Sequence, residues 1–172
     1  MQNGQFQVYT GDGKGKTTAA LGLALRASGA GLRVFIGQFM KAGPTSELSA
    51  LARLENVTAE QFGSGKGLLM GREADADDRA CARAGLARVR EALGKYDVVI
   101  ADEINCACTY GLLDVSDLLS LIDARPETTE LVFTGRGACD EVLARADLVT
   151  EMRAVKHYYA QKGLCARVGI EK

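Results

Sequence analysis

The chain has 172 residues, 47% apolar and 25% charged, which places it with ordinary globular proteins and excludes disordered, fibrous and collagen-like classes. With 21 basic against 22 acidic side chains the formal charge is −1, so no global field draws in nucleic acid or an anionic membrane, and a bound anion must be held locally. The length predicts one domain over residues 1–172.

No apolar run reaches bilayer length, and Met1–Gln5 carries no basic and hydrophobic signal pattern, so the cytoplasm is the expected compartment. The five cysteines (Cys81, Cys106, Cys108, Cys139 and Cys165) show no zinc-ligand spacing and are expected as reduced thiols used as small apolar groups.

Taken in chain order, an apolar strand is expected over Phe6–Thr10, then a glycine loop, then a helix over Lys16–Ser28. A strand at Arg33–Phe39 precedes a helix at Thr45–Leu54 and a strand at Val57–Gln61. Phe62–Gly71 has four glycines and no period, which predicts a long loop of functional character. The helix expected over Glu73–Leu93 rests on Leu86, Val89 and Leu93 at helical spacing, with Gly94 as its stop. Next come a strand at Asp97–Ala101, a helix at Val115–Ala124 ahead of Pro126, a strand at Glu130–Thr134, a helix at Cys139–Arg145 and a strand at Leu148–Met152. Residues after His157 carry no strong period. Strands alternating with helices predict an α/β fold in three layers, with a mostly parallel sheet of six strands.

The chemistry concentrates in Gly11, Asp12, Gly13, Lys14, Gly15, Lys16, Thr17 and Thr18, between the first strand and an alanine-rich helix. That context is the one a phosphate-binding P-loop requires, because unshielded main-chain N–H groups and a helix N-terminus converge on phosphate oxygens. Lys16 is expected to reach the outer phosphates and Thr17 to offer its hydroxyl to Mg²⁺. Thr10 stands where the usual pattern begins with glycine, so the loop is a variant. The run Val98–Ala101 ends in Asp102 and Glu103, carboxylates expected at the carboxyl edge of the sheet, where either can hold the metal. Arg136, between Gly135 and Gly137 after another strand, and Arg26 on the first helix are candidate contacts to phosphate or ribose. His157 is the single histidine, and no nucleophile–base constellation can be assembled, which favours a reaction on ATP that needs position and charge stabilisation more than a base.

These segments together resemble the ATP:corrinoid adenosyltransferases with a RecA-like P-loop fold. The likeness runs through Tyr9–Gly29, Val34–Lys41, the GREAD of Gly71–Asp75, Val98–Leu113, Ala124–Gly137 with its TGRG, Ala146–Tyr159 with its VKH, and the GIEK of Gly169–Lys172. The resemblance implies that ATP gives its 5′-deoxyadenosyl group to the cobalt(I) of a corrinoid and triphosphate leaves. It makes Lys16 and Glu103 the residues that carry the reaction, with Thr17 and Glu103, or Asp102, on Mg²⁺. It further implies an external flavoprotein reductant and a homodimer. Family members present aromatic side chains where Gly65 and Gly67 stand here, leaving Phe62 or Met70 as substitutes, and the N-terminal arm that covers the corrinoid is expected to be missing, since the first strand begins at Phe6. A P-loop kinase or ATPase, and a carrier without catalysis, are the competing readings.

Overall fold

A computed structural model gives the fold and describes residues 3–67 and 71–171. The elements are β1 (Phe6–Thr10), α1 (Lys16–Gly29), β2 (Val34–Phe39), α2 (Ser46–Leu51), β3 (Val57–Phe62), α3 (Ala76–Ala92), β4 (Val98–Asp102), α4 (Ile104–Thr109), α5 (Val115–Asp123), β5 (Glu130–Thr134), α6 (Asp140–Leu143), β6 (Leu148–Glu151) and α7 (Tyr158–Lys162). The strands form one sheet in the order β3-β2-β4-β5-β1-β6, with every pairing parallel.

The strand sequences explain this placement. β2, β4 and most of β5 are buried on both faces and read as continuous apolar runs, as central parallel strands must. Alternate residues enter separate cores. Phe35, Val99, Ala101, Leu131 and Phe133 pack under α3, α4 and α5, whereas Val34, Ile36, Val98, Ile100 and Val132 pack under α1 and α2. Helices on both faces of one sheet make the three layers, and fully burying side chains such as Phe35, Phe133, Ile36 and Ile100 contributes about 1.5–3 kcal/mol each. β3 and β6 lie at the edges; β3 is half-buried and β6 exposed throughout.

The expected strands match to within a residue or so at most ends, and the mostly parallel sheet is parallel throughout. Three helices are shorter than their sequence pattern suggests. α3 starts at Ala76, three residues after Glu73, because Asp75 caps it: its carboxylate accepts from the Asp77 and Asp78 N–H groups, and the Asp78 carboxylate accepts from Asp75 N–H. α2 and α6 likewise fill only part of Thr45–Leu54 and Cys139–Arg145. α4 and α7 have no counterpart in the sequence pattern; each has six residues or fewer, and Asn, Cys and Thr in α4 are indifferent helix formers.

Candidate active site

Register brings the polar ends of the strands together. Gln38 pairs with Asp102 across β2 and β4, and Thr134 pairs with Tyr9 across β5 and β1. β5 lies between the glycine-loop strand and the acidic strand, so Asp102 and the loop meet across the carboxyl edge of β5. Thr134 Oγ1 donates to Asp102 Oδ1 at 2.7 Å and accepts from the Glu103 N–H at 2.8 Å. Thr17 Oγ1 donates to the same Oδ1 at 2.8 Å, while Gln38 Nε2 and Lys41 Nζ donate to Oδ2 at 3.3 and 3.0 Å. Asp102 is 1% exposed, and these partners are what make a buried carboxylate tolerable there.

Glu103 is placed differently. Its backbone is left-handed, φ 63°, an unusual and costly state for a residue with a side chain. Glu103 lines a cavity of about 530 Å³ with Gly13, Lys16, Thr17, Arg136 and Tyr110. Burial, with the charge of Glu103 beside it, pushes the Cys106 thiol on the same wall up to about 12, so that cysteine is a neutral thiol at physiological pH.

The glycine loop is shaped by close approach. Gly13 N–H donates to the Met152 carbonyl at 2.6 Å, and a side chain at Gly13 would come within 2.7 Å of that same oxygen. Gly15 has φ 122°, caps α1 with no side-chain hydrogen bond, and leaves the N–H groups of the first turn open to an anion. Lys16 is buried and its ammonium donates to the Gly11 and Gly13 carbonyls, each at 2.7 Å. Burial pulls its pKa down, Glu103 opposes that, and Arg136 adds to it, so an incoming phosphate gives this ammonium a strong partner.

Residues 13–18, Glu103 and Arg136 thus line one cavity; Gly11 supplies a carbonyl behind it, and Asp12 is exposed beside it. Arg26 is not among the lining residues. It occupies the last turn of α1, roughly 15 Å along the axis from Lys16 at about 1.5 Å per residue, where its charge suits the helix C-terminus. Lys41, Tyr158, Ile170 and Glu171 also line the cavity. Lys41 carried a readable signal, standing just past the carboxyl end of a strand. The last three lie in a stretch with no period to read.

A smaller cavity of about 250 Å³ adjoins this one through Met40 and Lys41 and is lined also by Thr45, Phe62, Gly65 and Gly67. Phe62 packs on Phe39 with ring centroids 5.9 Å apart; Met70 lies outside the described residues.

The family model for "ATP:corrinoid adenosyltransferase BtuR/CobO/CobP" matches residues 2–171. The chain belongs to the ATP:corrinoid adenosyltransferase family. It is 34% identical to a corrinoid adenosyltransferase of Pseudomonas aeruginosa, over 99% of this chain and 84% of that protein. Against the corrinoid adenosyltransferase CobA of Salmonella typhimurium the identity is 35%, over 99% and 86%, and against that of Escherichia coli K12 it is 33% over the same shares. Membership makes the chain a transferase acting on ATP and a corrinoid in adenosylcobalamin synthesis. Among the described residues no helix is long and apolar enough to cross a membrane.

Proposed function

We propose that this adenosyltransferase seats the triphosphate of ATP on residues 11–18 and exposes the 5′ carbon to the corrinoid. Cobalt(I) attacks that carbon, a cobalt–carbon bond forms, the carbon–oxygen bond breaks, and its electron pair leaves on triphosphate. No proton is removed from the nucleophile, so no base is needed. The observation that carries this reading is the buried Lys16 ammonium, held at 2.7 Å from two loop carbonyls beneath an uncapped helix N-terminus. Triphosphate gains charge as it departs, and donors fixed beforehand stabilise that charge more than the ground state. Arg136 on the same wall is a further cation for it.

The residues fit a magnesium ion. Thr17 donates its hydroxyl hydrogen bond to Asp102, which leaves oxygen lone pairs for a cation, and Glu103 lines the same cavity. Magnesium is commonly held by one or two carboxylates together with substrate phosphates. Thr17 and Glu103 are the ligands in this reading, and Asp102 acts through Thr17, since its own oxygens are engaged by Thr17, Thr134, Gln38 and Lys41. Magnesium, when bound, would offset the charge that collects on triphosphate.

The family resemblance supports a flavoprotein electron donor and a homodimer, and the composition supports a single cytoplasmic domain. An anaerobic assay with ATP, Mg²⁺ and chemically reduced cobalamin tests the reaction. A light-sensitive alkyl-cobalt spectrum with triphosphate as the phosphorus product is expected; ADP and phosphate in its place would make the chain a kinase or ATPase, and binding without product would make it a carrier.

A further inference from the structure

Residues 157–171 have little apolar burial to hold them. Tyr159 is 64% exposed, Val168 78% and Ile170 57%, and α7 has only five residues, far below the length at which a helix stands alone. Yet His157, Tyr158, Ile170 and Glu171 line the larger cavity with the phosphate loop. A polar clamp fixes them. Lys14 of the loop donates to Glu171 Oε1 at 2.9 Å, to the Ile170 carbonyl at 3.1 Å and to the Tyr158 hydroxyl at 3.1 Å. Glu171 also accepts from the Tyr158 hydroxyl, from the Arg167 guanidinium and from the Arg167 N–H. Among the described residues, the bonds from this segment to the phosphate loop converge on the Lys14 ammonium.

The clamp leaves the wall suited to a nucleotide. Lys14 and Arg167 outweigh the one carboxylate between them, so Glu171 does not present uncompensated negative charge to a polyphosphate, and its side chain is 16% exposed. Beside it the wall offers the Tyr158 ring, 5.0 Å from the His157 ring, and the part-exposed Ile170. With phosphates on the loop, the rest of the ligand has this aromatic and apolar surface to cover.

We propose that Glu171 is a positioning residue: by clamping Lys14 it docks residues 157–171 beside the phosphate loop, and the docked segment is the wall that recognises the nucleoside part of ATP. This rests on the reading of residues 11–18 as the triphosphate seat. Calorimetric titration with two probes, ATP and inorganic tripolyphosphate, separates the two ideas. In Glu171→Gln, ATP binding weakens about tenfold, the scale of a lost charge-assisted hydrogen bond, while tripolyphosphate binding stays within about twofold. In a Lys14→Met background the Glu171→Gln change costs ATP no further affinity, because the two side chains act as one clamp. Trypsin cleavage at Lys162 quickens in Glu171→Gln, a readout independent of ligand. Tighter tripolyphosphate binding in Glu171→Gln would make Glu171 a competitor for Lys14 and overturn the proposal, as would unchanged ATP affinity, additive losses or unchanged cleavage. If the unaltered protein binds ATP but not tripolyphosphate, the phosphate-loop reading itself falls, and this proposal with it.

Discussion

Asp102 and Glu103 are neighbours in sequence with the same charge, yet the fold places one in a buried hydrogen-bond network and the other on the cavity wall. Asp102 is buried and bonded on both oxygens, and removing it leaves Lys41 with only the more distant Glu47, at 3.7 Å, and strands the Thr17 and Thr134 hydroxyls. Asp102→Ala should therefore cost about 2–4 kcal/mol of stability. Glu103→Ala should leave stability nearly unchanged and abolish the response of turnover to Mg²⁺. Because Glu103 is left-handed, Glu103→Gly should be more stable than Glu103→Ala by roughly 1 kcal/mol, the reverse of the usual order. Thermal unfolding of the three variants, with Mg²⁺ titrations of activity, checks this. Equal losses of stability at both acidic positions would contradict the division of labour. The sequence showed an acidic pair at a strand end but not its division, because that depends on Thr17, 85 residues away, and on Lys41, 61 residues away.

At the scale of elements, the glycine loop between β1 and α1 was legible because strand, glycines and helix are contiguous and each carries its own signal. Its finer shape was not, since the partner that demands glycine at position 13 is the Met152 carbonyl beyond the end of β6. α3 shows the same contrast. Its apolar period is plain, and its start is set by the reciprocal hydrogen bonds of Asp75 and Asp78. Asp75→Ala should lower stability by about 1 kcal/mol, a fall in Tm of roughly 2–4 °C. A Tm within a degree of the unaltered protein would show that the cap carries no weight.

For the whole molecule, alternating elements predicted the layers and a parallel sheet, but strand order came from pairing that no local signal encodes. Residues 157–171 were the least legible, because bonds to Lys14 across more than a hundred residues, and not periodicity, fix their place. The start of α3 depends on charge too. Arg72 donates to both oxygens of the buried Asp78 and Ser64 donates to one, which holds that carboxyl well below its ordinary 3.8. A carboxylate depressed in the folded state adds stability that is present above 3.8 and lost as pH falls below it. The Tm gap between the unaltered protein and Asp78→Asn should be wide at neutral pH and close in acid; a gap that stays constant would mean that Asp78 does not drive the acid response.

The claim beneath all of this is that main-chain N–H groups at the start of α1 hold the triphosphate. Amide NMR of the ¹⁵N-labelled protein titrated with Mg²⁺ and ATP reads those groups directly. The largest shifts are predicted at Gly15, Lys16, Thr17 and Thr18, and they should shrink sharply in Lys16→Ala. Saturable shifts centred elsewhere, with these four amides unmoved, would contradict the account.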